Sequence, residues 1–195
     1  MNKTINYYNE NAAKFAEGTV NVDFTAMQDK FLAMLKEGDH ILDFGCGAGR
    51  DTRYFMEKGF RVTATDGSEE LCRIASEVTG TEVKHMMFDE LDAHEEYEGV
   101  WACASILHVK RDELESILCK IEAALKPGGV LYTSFKYSSF EGERNGRYFN
   151  DLTEDMLEEI MKPIEGLKLE EFMISADVRP GREDEKWLNV FVRKV

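Results

Sequence analysis

The sequence predicts an α/β domain built on a doubly wound, mostly parallel sheet of seven strands. Strand-like apolar runs alternate with amphipathic helical segments from residue 40 onwards, and this alternation is typical of parallel sheets with helices on both faces. The last two strand-like runs, LKLEEFMIS and WLNVFVRKV, have no helix between them. Strands joined without a crossover helix pair most easily in antiparallel fashion, so we expect an antiparallel last strand.

The individual elements follow from hydrophobic periodicity. Residues 1–36 contain two apolar stripes at helical spacing and predict two helices, the second ending at Gly38. Five strands are then predicted at HILDF, FRVTATD, EVKHMMF, GVWACAS and VLYTSFKY. Helices are predicted at RDTRYFMEK, SEELCRIASEV, DELESILCKIEAAL and TEDMLEEIM. Ser68, Asp112 and Thr153 are the predicted N-caps of the last three helices, Asp112 forming a capping box with Glu115.

Length and composition predict one domain over residues 1–195, with the helices of 1–36 preceding a core over 37–195. The formal net charge is −14, and so acidic a surface repels nucleic acids and anionic membranes. We therefore expect a small-molecule partner, and a monomer or homodimer. No signal peptide is visible, and the four cysteines have neither disulfide-framework nor zinc-site spacing. These features predict a reduced, cytoplasmic protein without a bound metal.

The segment ILDFGCGAGRDT, residues 41–52, identifies the ligand class. A dinucleotide fingerprint would need a third glycine where Arg50 or Thr52 stands, and no phosphate-binding Gly-Lys-Ser/Thr follows. Asp43, at the end of the strand, suits a cationic ammonium group rather than a pyrophosphate. Asp66, at the end of the next strand, can accept hydrogen bonds from ribose hydroxyls. S-adenosylmethionine combines an adenosine with such an amino-acid tail.

Four motifs in this order resemble those of class I S-adenosylmethionine-dependent methyltransferases. They are ILDFGCGAG, VTATDGS, ACASILHV and ALKPGGVLYTSF, and the similarity extends over about residues 7–195. The chain is most similar to small stand-alone bacterial enzymes, including the tellurite-resistance type and the type 11–12 methyltransferases. The resemblance implies a Rossmann-like sheet with the seventh strand inserted antiparallel, an N-terminal helical lid, S-adenosylmethionine as methyl donor, and S-adenosylhomocysteine as its product.

The resemblance also implies the residues around that donor. At the methionine part we expect Asp43, Gly45, Cys46, Gly47 and Gly49, and at the ribose Asp66, Gly67 and Ser68. At the adenine we expect Phe88 or Asp89, and at the donor methyl Ala104. His108 follows the fourth strand as a candidate general base or substrate contact, with a polar residue without chemistry as the alternative. Tyr7 and Tyr8 can close over the donor, Tyr8 as a catalytic candidate, or pack in the core.

Two loops concentrate basic residues in this acidic chain. FKYSSFEGERNGRYF contains Lys136 and Arg147, and DVRPGREDEKW contains Arg179. Because arginine holds carboxylates and phosphates in a bidentate fork, these residues predict an anionic substrate. Salt bridges to acidic residues of the same loops are the alternative.

The sequence thus predicts methyl transfer from S-adenosylmethionine to a small molecule, with an anionic acceptor as one option. Two other functions stay open. One is a macromolecular methyltransferase acting on protein or nucleic acid. The other is a module that binds S-adenosylmethionine without catalysis.

Overall fold

The computed structural model describes residues 3–195, so the first two residues of the predicted helical segment 1–36 lie outside the described part. The helices of that part are α1 Lys3–Glu17, α2 Thr25–Leu32, α3 Arg50–Glu57, α4 Glu69–Thr79, α5 Arg111–Ala124 and α6 Glu154–Met161. The strands are β1 His40–Phe44, β2 Arg61–Asp66, β3 Val83–His85, β4 Tyr97–Ala102, β5 Leu125–Lys136, β6 Glu141–Arg144, β7 Arg147–Asn150, β8 Leu167–Ala176 and β9 Lys186–Lys194. Short 3-10 helices, Phe88–Glu90 and Ile106–His108, follow β3 and β4.

The main sheet has seven strands in the order β3-β2-β1-β4-β5-β9-β8. Strands β1 to β5 pair in parallel, whereas β9 is inserted antiparallel between β5 and β8. The predicted α/β class, the seven strands and the antiparallel last strand are therefore confirmed.

Helices cover both faces of this sheet. On one face Leu42, Val100 and Leu131 pack with apolar residues of α5 and α6. On the other face Trp101 is fully buried with Phe31 of α2 and Phe55 of α3. Because successive strand residues point to opposite faces, neighbouring residues of β1, β4 and β5 supply both cores.

Two local predictions need correction. Asp112 was expected to open the fifth helix with a capping box, but α5 begins at Arg111 and its N-cap, Lys110, makes no side-chain cap hydrogen bond. Ser68 does cap α4, since its hydroxyl accepts a hydrogen bond from the Leu71 amide at 3.2 Å. The segment after β5 was expected to be a polar loop, yet it forms a two-stranded hairpin of β6 and β7.

The carboxyl ends of the parallel strands meet at one edge of the sheet, where open α/β sheets bind their ligands. Gly45 directly follows β1, Asp66 ends β2, Cys103 follows β4 and Lys136 ends β5. Helix α1 and the hairpin β6–β7 lie against each other over this edge, because the Tyr148 amide donates a hydrogen bond to Thr4 Oγ1 at 2.9 Å. Among residues 3–195, no helix combines the length and hydropathy required to cross a membrane.

Candidate functional site

A cavity of about 720 Å³ occupies this edge of the sheet. Its floor is formed by the segments that follow β1, β2, β4 and β5. Its roof is formed by α1, by β7 and by the loop that joins β8 to β9. A volume of this size falls within the range of small-molecule and cofactor sites.

The glycine loop forms one wall of the cavity with bare backbone. Gly45 and Gly47 have φ angles of +86° and +58°, which L-residues with a side chain rarely adopt. A Cβ at Gly45 would lie 2.5 Å from Ser105 Cβ, and one at Gly47 would lie 3.1 Å from a Phe15 ring carbon. The amides of Gly45 and Cys46 both donate to the Thr65 carbonyl at 2.9 Å, which fixes the loop on β2.

We expect Gly45→Ala to destabilise the protein more than Gly128→Ala does. Gly128 also has a positive φ, +78°, but a Cβ there would meet nothing within 4 Å. The control therefore measures the backbone strain alone, about 1–2 kcal/mol, and the excess at Gly45 measures the clash with Ser105. Urea unfolding of both variants gives this difference, and equal losses would show that the loop relaxes freely.

Asp66 closes the loop from the second strand. Its carboxylate accepts hydrogen bonds from the amides of Gly47 at 2.9 Å and Ser68 at 2.8 Å. An ionised carboxylate can accept about four hydrogen bonds, so two acceptor positions remain for a ligand in the cavity that Asp66 lines. Burial raises the pKa of Asp66 to about 6, although the hydrogen bonds from Ser68 and Gly47 oppose this rise.

Two other acidic residues near the glycine loop, Asp43 and Asp51, have different partners. Asp43 is buried behind the glycine loop, where its carboxylate accepts the Thr52 hydroxyl at 2.5 Å. Burial, followed by the neighbouring Asp51 carboxylate, raises the pKa of Asp43. Asp51 instead holds Arg50 through paired bonds of 2.7 and 2.9 Å, and Arg50 lines the cavity. In the sequence, Arg50 was noted only because it stands where a dinucleotide fingerprint needs a glycine. Its place at the first helical turn after the glycine loop was nevertheless visible there.

The segments after β3 and β4 also line the cavity. Phe88 and Asp89 both line it, so the structure keeps both of the residues considered for an adenine contact. Ala104 also lines the cavity, with a φ of +50° and its amide bound to Ser134 Oγ at 2.8 Å. A non-glycine residue in this region is strained, and such strain concentrates at functional sites.

Tyr8 and His108 meet across the roof of the cavity. Tyr8 Oη lies 2.9 Å from His108 Nε2, and His108 Nδ1 lies 2.5 Å from the Tyr148 carbonyl oxygen. Because a carbonyl only accepts, Nδ1 carries the proton, and Nε2 accepts the hydrogen bond from the Tyr8 hydroxyl. Burial lowers the pKa of His108 to about 4 and raises the pKa of Tyr8, so both side chains are neutral at pH 7.

The three basic residues singled out in the sequence, Lys136, Arg147 and Arg179, all line the cavity. Lys136 pairs with Glu185, and Arg179 binds Asp177 in a bidentate manner at 2.5 and 2.8 Å. Arg147 has no carboxylate partner in the described part of the chain. Its guanidinium carbon lies 4.6 Å from the centre of the Tyr7 ring and 5.1 Å from that of Phe149.

Residues 41–129 match the Methyltransferase domain family. An uncharacterized methyltransferase of Staphylococcus carnosus is 27% identical over 156 residues, 76% of this chain and 74% of that protein. The chain shares its fold with 1,6-didemethyltoxoflavin-N1-methyltransferase of Burkholderia thailandensis, at a TM-score of 0.77, 23% identity, and coverage of 97% of this chain and 84% of that one. The chain also shares its fold with a chain from the complex between the Haloferax volcanii Trm112 methyltransferase activator and the "putative methyltransferase". The TM-score is 0.79 at 19% identity, with 98% of this chain and 97% of that one covered.

The methyltransferase domain matched over residues 41–129, together with these relatives and structural neighbours, supports a class I S-adenosylmethionine-dependent methyltransferase. The cavity fits that donor in three respects. The Asp66 carboxylate keeps free acceptor positions for a diol, the glycine loop leaves room that a side chain would fill, and Arg50 offers a guanidinium to a carboxylate. When bound, S-adenosylmethionine supplies an electrophilic methyl group on a sulfonium.

Not every residue expected at the methyl donor lines the cavity of this methyltransferase. Gly45, Cys46, Gly47, Asp66, Gly67, Phe88, Asp89 and Ala104 line it, together with Tyr8 and His108. Asp43, Gly49, Ser68 and Tyr7 lie behind its walls. Gly49 is the N-cap residue of α3 with a φ of +83°, and Ser68 caps α4. Tyr7 packs under Arg147.

Proposed function

We propose that this methyltransferase methylates a small-molecule acceptor that carries a protic nucleophile, an O–H or N–H group, together with an anionic group. The observation that carries the proposal is the neutral Tyr8–His108 pair in a cavity that also contains Arg147. The pair can accept a proton, and the arginine can hold an anion.

The enclosure of the cavity supports a small acceptor. The roof is made of this chain's own α1, β7 and β8–β9 loop. Ion pairs join α1 to the β6–β7 hairpin through Lys3 and Glu143, and the β8–β9 loop to the end of β5 through Glu185 and Lys136. A macromolecular acceptor would have to displace them. The formal net charge of −14 further disfavours a nucleic-acid acceptor.

The hydrogen-bond directions support removal of a proton from the acceptor. Tyr8 Oη donates to His108 Nε2 and accepts from Arg147 Nη1 at 3.4 Å, so one lone pair remains available to an acceptor O–H or N–H. Transfer of the methyl would break its bond to the donor sulfur and release S-adenosylhomocysteine. The proton of the nucleophile would then pass to Tyr8 Oη while Tyr8 gives its own proton to His108 Nε2. The Tyr148 carbonyl holds the His108 ring in the required tautomer.

The charge pairing supports an anionic acceptor held by Arg147. The carboxylates of Glu185 and Asp177 already compensate Lys136 and Arg179, as the salt-bridge alternative expected. For Arg147 that alternative has no partner in residues 3–195. We therefore assign the anion to Arg147 and expect Lys136 and Arg179 to hold the roof in place.

A labelled-donor screen tests the function. The protein is incubated with a metabolite extract and S-adenosylmethionine that carries an isotope-labelled methyl, and products are identified by mass spectrometry. We expect label in a small anionic compound, and far less label in that compound with the His108→Asn variant at neutral pH. Label recovered only in protein or nucleic acid would overturn the proposal.

A further inference from the structure

We propose that Arg147 couples binding of the acceptor's anionic group to proton removal by the Tyr8–His108 pair, so that the enzyme selects acceptors whose anion lies close to their nucleophile. This inference rests on the proposed function and assigns to one residue both recognition and control of the base. Three features of the described residues support it.

The first feature is an unsatisfied guanidinium. Arg147 Nε is buried and makes no hydrogen bond to any group within residues 3–195. An unpaired buried donor is unfavourable, and an anion bound to the Nε edge of the guanidinium would satisfy it through a bidentate contact. The aromatic rings of Tyr7 and Phe149 hold the group in place at 4.6 and 5.1 Å.

The second feature is the contact between this cation and the proton-accepting pair. Arg147 Nη1 lies 3.4 Å from Tyr8 Oη, which itself lies 2.9 Å from His108 Nε2. A positive charge at this distance opposes the formation of a second positive charge on the imidazole. Burial is the main cause that lowers the pKa of His108 to about 4, and Arg147 lowers it further.

Among the groups around the Tyr8–His108 pair, Arg147 carries the charge that a bound anion can neutralise. Around His108, α1 contributes the neutral Tyr8, and β7 contributes Arg147, the Tyr148 carbonyl and the Phe149 ring. The acidic residues of the same cavity are Asp51, Asp66, Asp89, Asp112, Glu113 and Asp177. Of these, Asp66 acts on Tyr8. An acceptor anion on Arg147 would cancel the opposing charge and make His108 a stronger base.

The third feature sets the acceptor class. The nucleophile must reach Tyr8 Oη, the anion must reach Arg147, and the two groups are 3.4 Å apart. With hydrogen bonds of about 3 Å to each, anion and nucleophile are separated by only a few bonds. Small amino or hydroxy acids and their phosphate counterparts have this arrangement. A neutral analogue would bind beside an uncompensated cation and leave the base weak.

The pKa of His108, read by NMR from ¹³C-labelled histidine, tests the coupling without turnover. The protein is saturated with S-adenosylhomocysteine and titrated with acetate or inorganic phosphate as the anion probe, and His108→Asn assigns the resonance. We expect either probe to raise the pKa of His108 by about one pH unit. Arg147→Gln should raise it to a similar degree without a probe and abolish the response.

Two further variants separate coupling from a structural role of Arg147. Arg147→Lys keeps the charge, so the pKa should stay low while the response to the probe weakens. Arg53→Gln removes a surface charge of α3 that pairs with Glu57 and donates to the Val20 carbonyl, and it should leave the response intact. The inference is overturned if neither acetate nor phosphate changes the pKa of His108, or if this pKa is the same in Arg147→Gln as in the wild type. A failed labelling screen would instead count against the proposed function and leave this titration interpretable.

Discussion

Tyr8→Phe and His108→Asn are each expected to lower turnover by about 10² to 10⁴-fold, the range that a positioned acid or base contributes. Tyr8→Phe removes the hydroxyl that lies 2.9 Å from His108 Nε2, and His108→Asn removes the final proton acceptor. Affinity for S-adenosylhomocysteine should stay nearly unchanged, since neither side chain is required for the glycine loop or for Asp66. Initial rates with the acceptor from the labelling screen measure turnover, and calorimetry with S-adenosylhomocysteine measures its affinity.

The pH dependence sharpens this prediction. The base must be neutral to act, and the pKa of His108 is lowered to about 4 by burial. The wild-type kcat/KM, which reports the free enzyme, should therefore fall only as the pH drops towards 4. The variants should recover at alkaline pH, where the acceptor loses its proton without help.

Matched controls exclude a general loss of structure. Tyr54→Phe removes a surface hydroxyl bound to Asp29, and His94→Asn changes an exposed histidine. Both should keep wild-type turnover. If Tyr8→Phe turned over as fast as Tyr54→Phe at neutral pH, the relay through Tyr8 would be refuted.

The sequence predicted the sheet well because its signal is local. Alternation of strands and helices, the glycine turn and the acidic residue at the end of the second strand are all readable within short windows. The confirmed antiparallel position of β9 follows from the missing helix between the last two strands. The capping error at Asp112 has the same local origin, because two adjacent polar positions compete for one helix start.

The roof of the site was less predictable because its contacts join distant segments. Tyr8 and His108 are 100 positions apart, and their pairing depends on how α1 packs on the hairpin. The β6–β7 segment is polar, so hydrophobic periodicity gives no strand signal. Its position depends partly on the pairing of Arg144 with the buried Asp151.

Electrostatic pairing was the least readable feature. Composition alone could not tell that Asp177 and Glu185 compensate Arg179 and Lys136, while Arg147 has no carboxylate partner within residues 3–195. Likewise, Asp43 was expected beside the amino-acid part of the donor. The fold buries it behind the loop and places Arg50 on the cavity wall instead.

Asp66→Ala is expected to weaken binding of S-adenosylhomocysteine by about 10- to 150-fold. The variant loses hydrogen bonds from the ribose diol to a charged acceptor, worth roughly 1.5 to 3 kcal/mol, and each 1.4 kcal/mol changes affinity about tenfold. It also leaves the amides of Gly47 and Ser68 without their partner, so the glycine loop loses support. Asp66→Asn keeps an oxygen acceptor and separates these two effects, because it should preserve thermal stability better than it preserves affinity.

The pH dependence of this affinity identifies the carboxylate itself. Burial raises the pKa of Asp66 to about 6 in the free protein, and the diol binds the ionised form best. Wild-type affinity should thus be full above pH 7 and decline as the pH falls through about 6, because binding must then displace a proton. Calorimetry between pH 5 and 8 should show this decline in the wild type and in Asp92→Asn, which alters an exposed carboxylate, but not in Asp66→Asn. A wild-type affinity independent of pH, together with unimpaired binding by Asp66→Asn, would remove Asp66 from the ribose site.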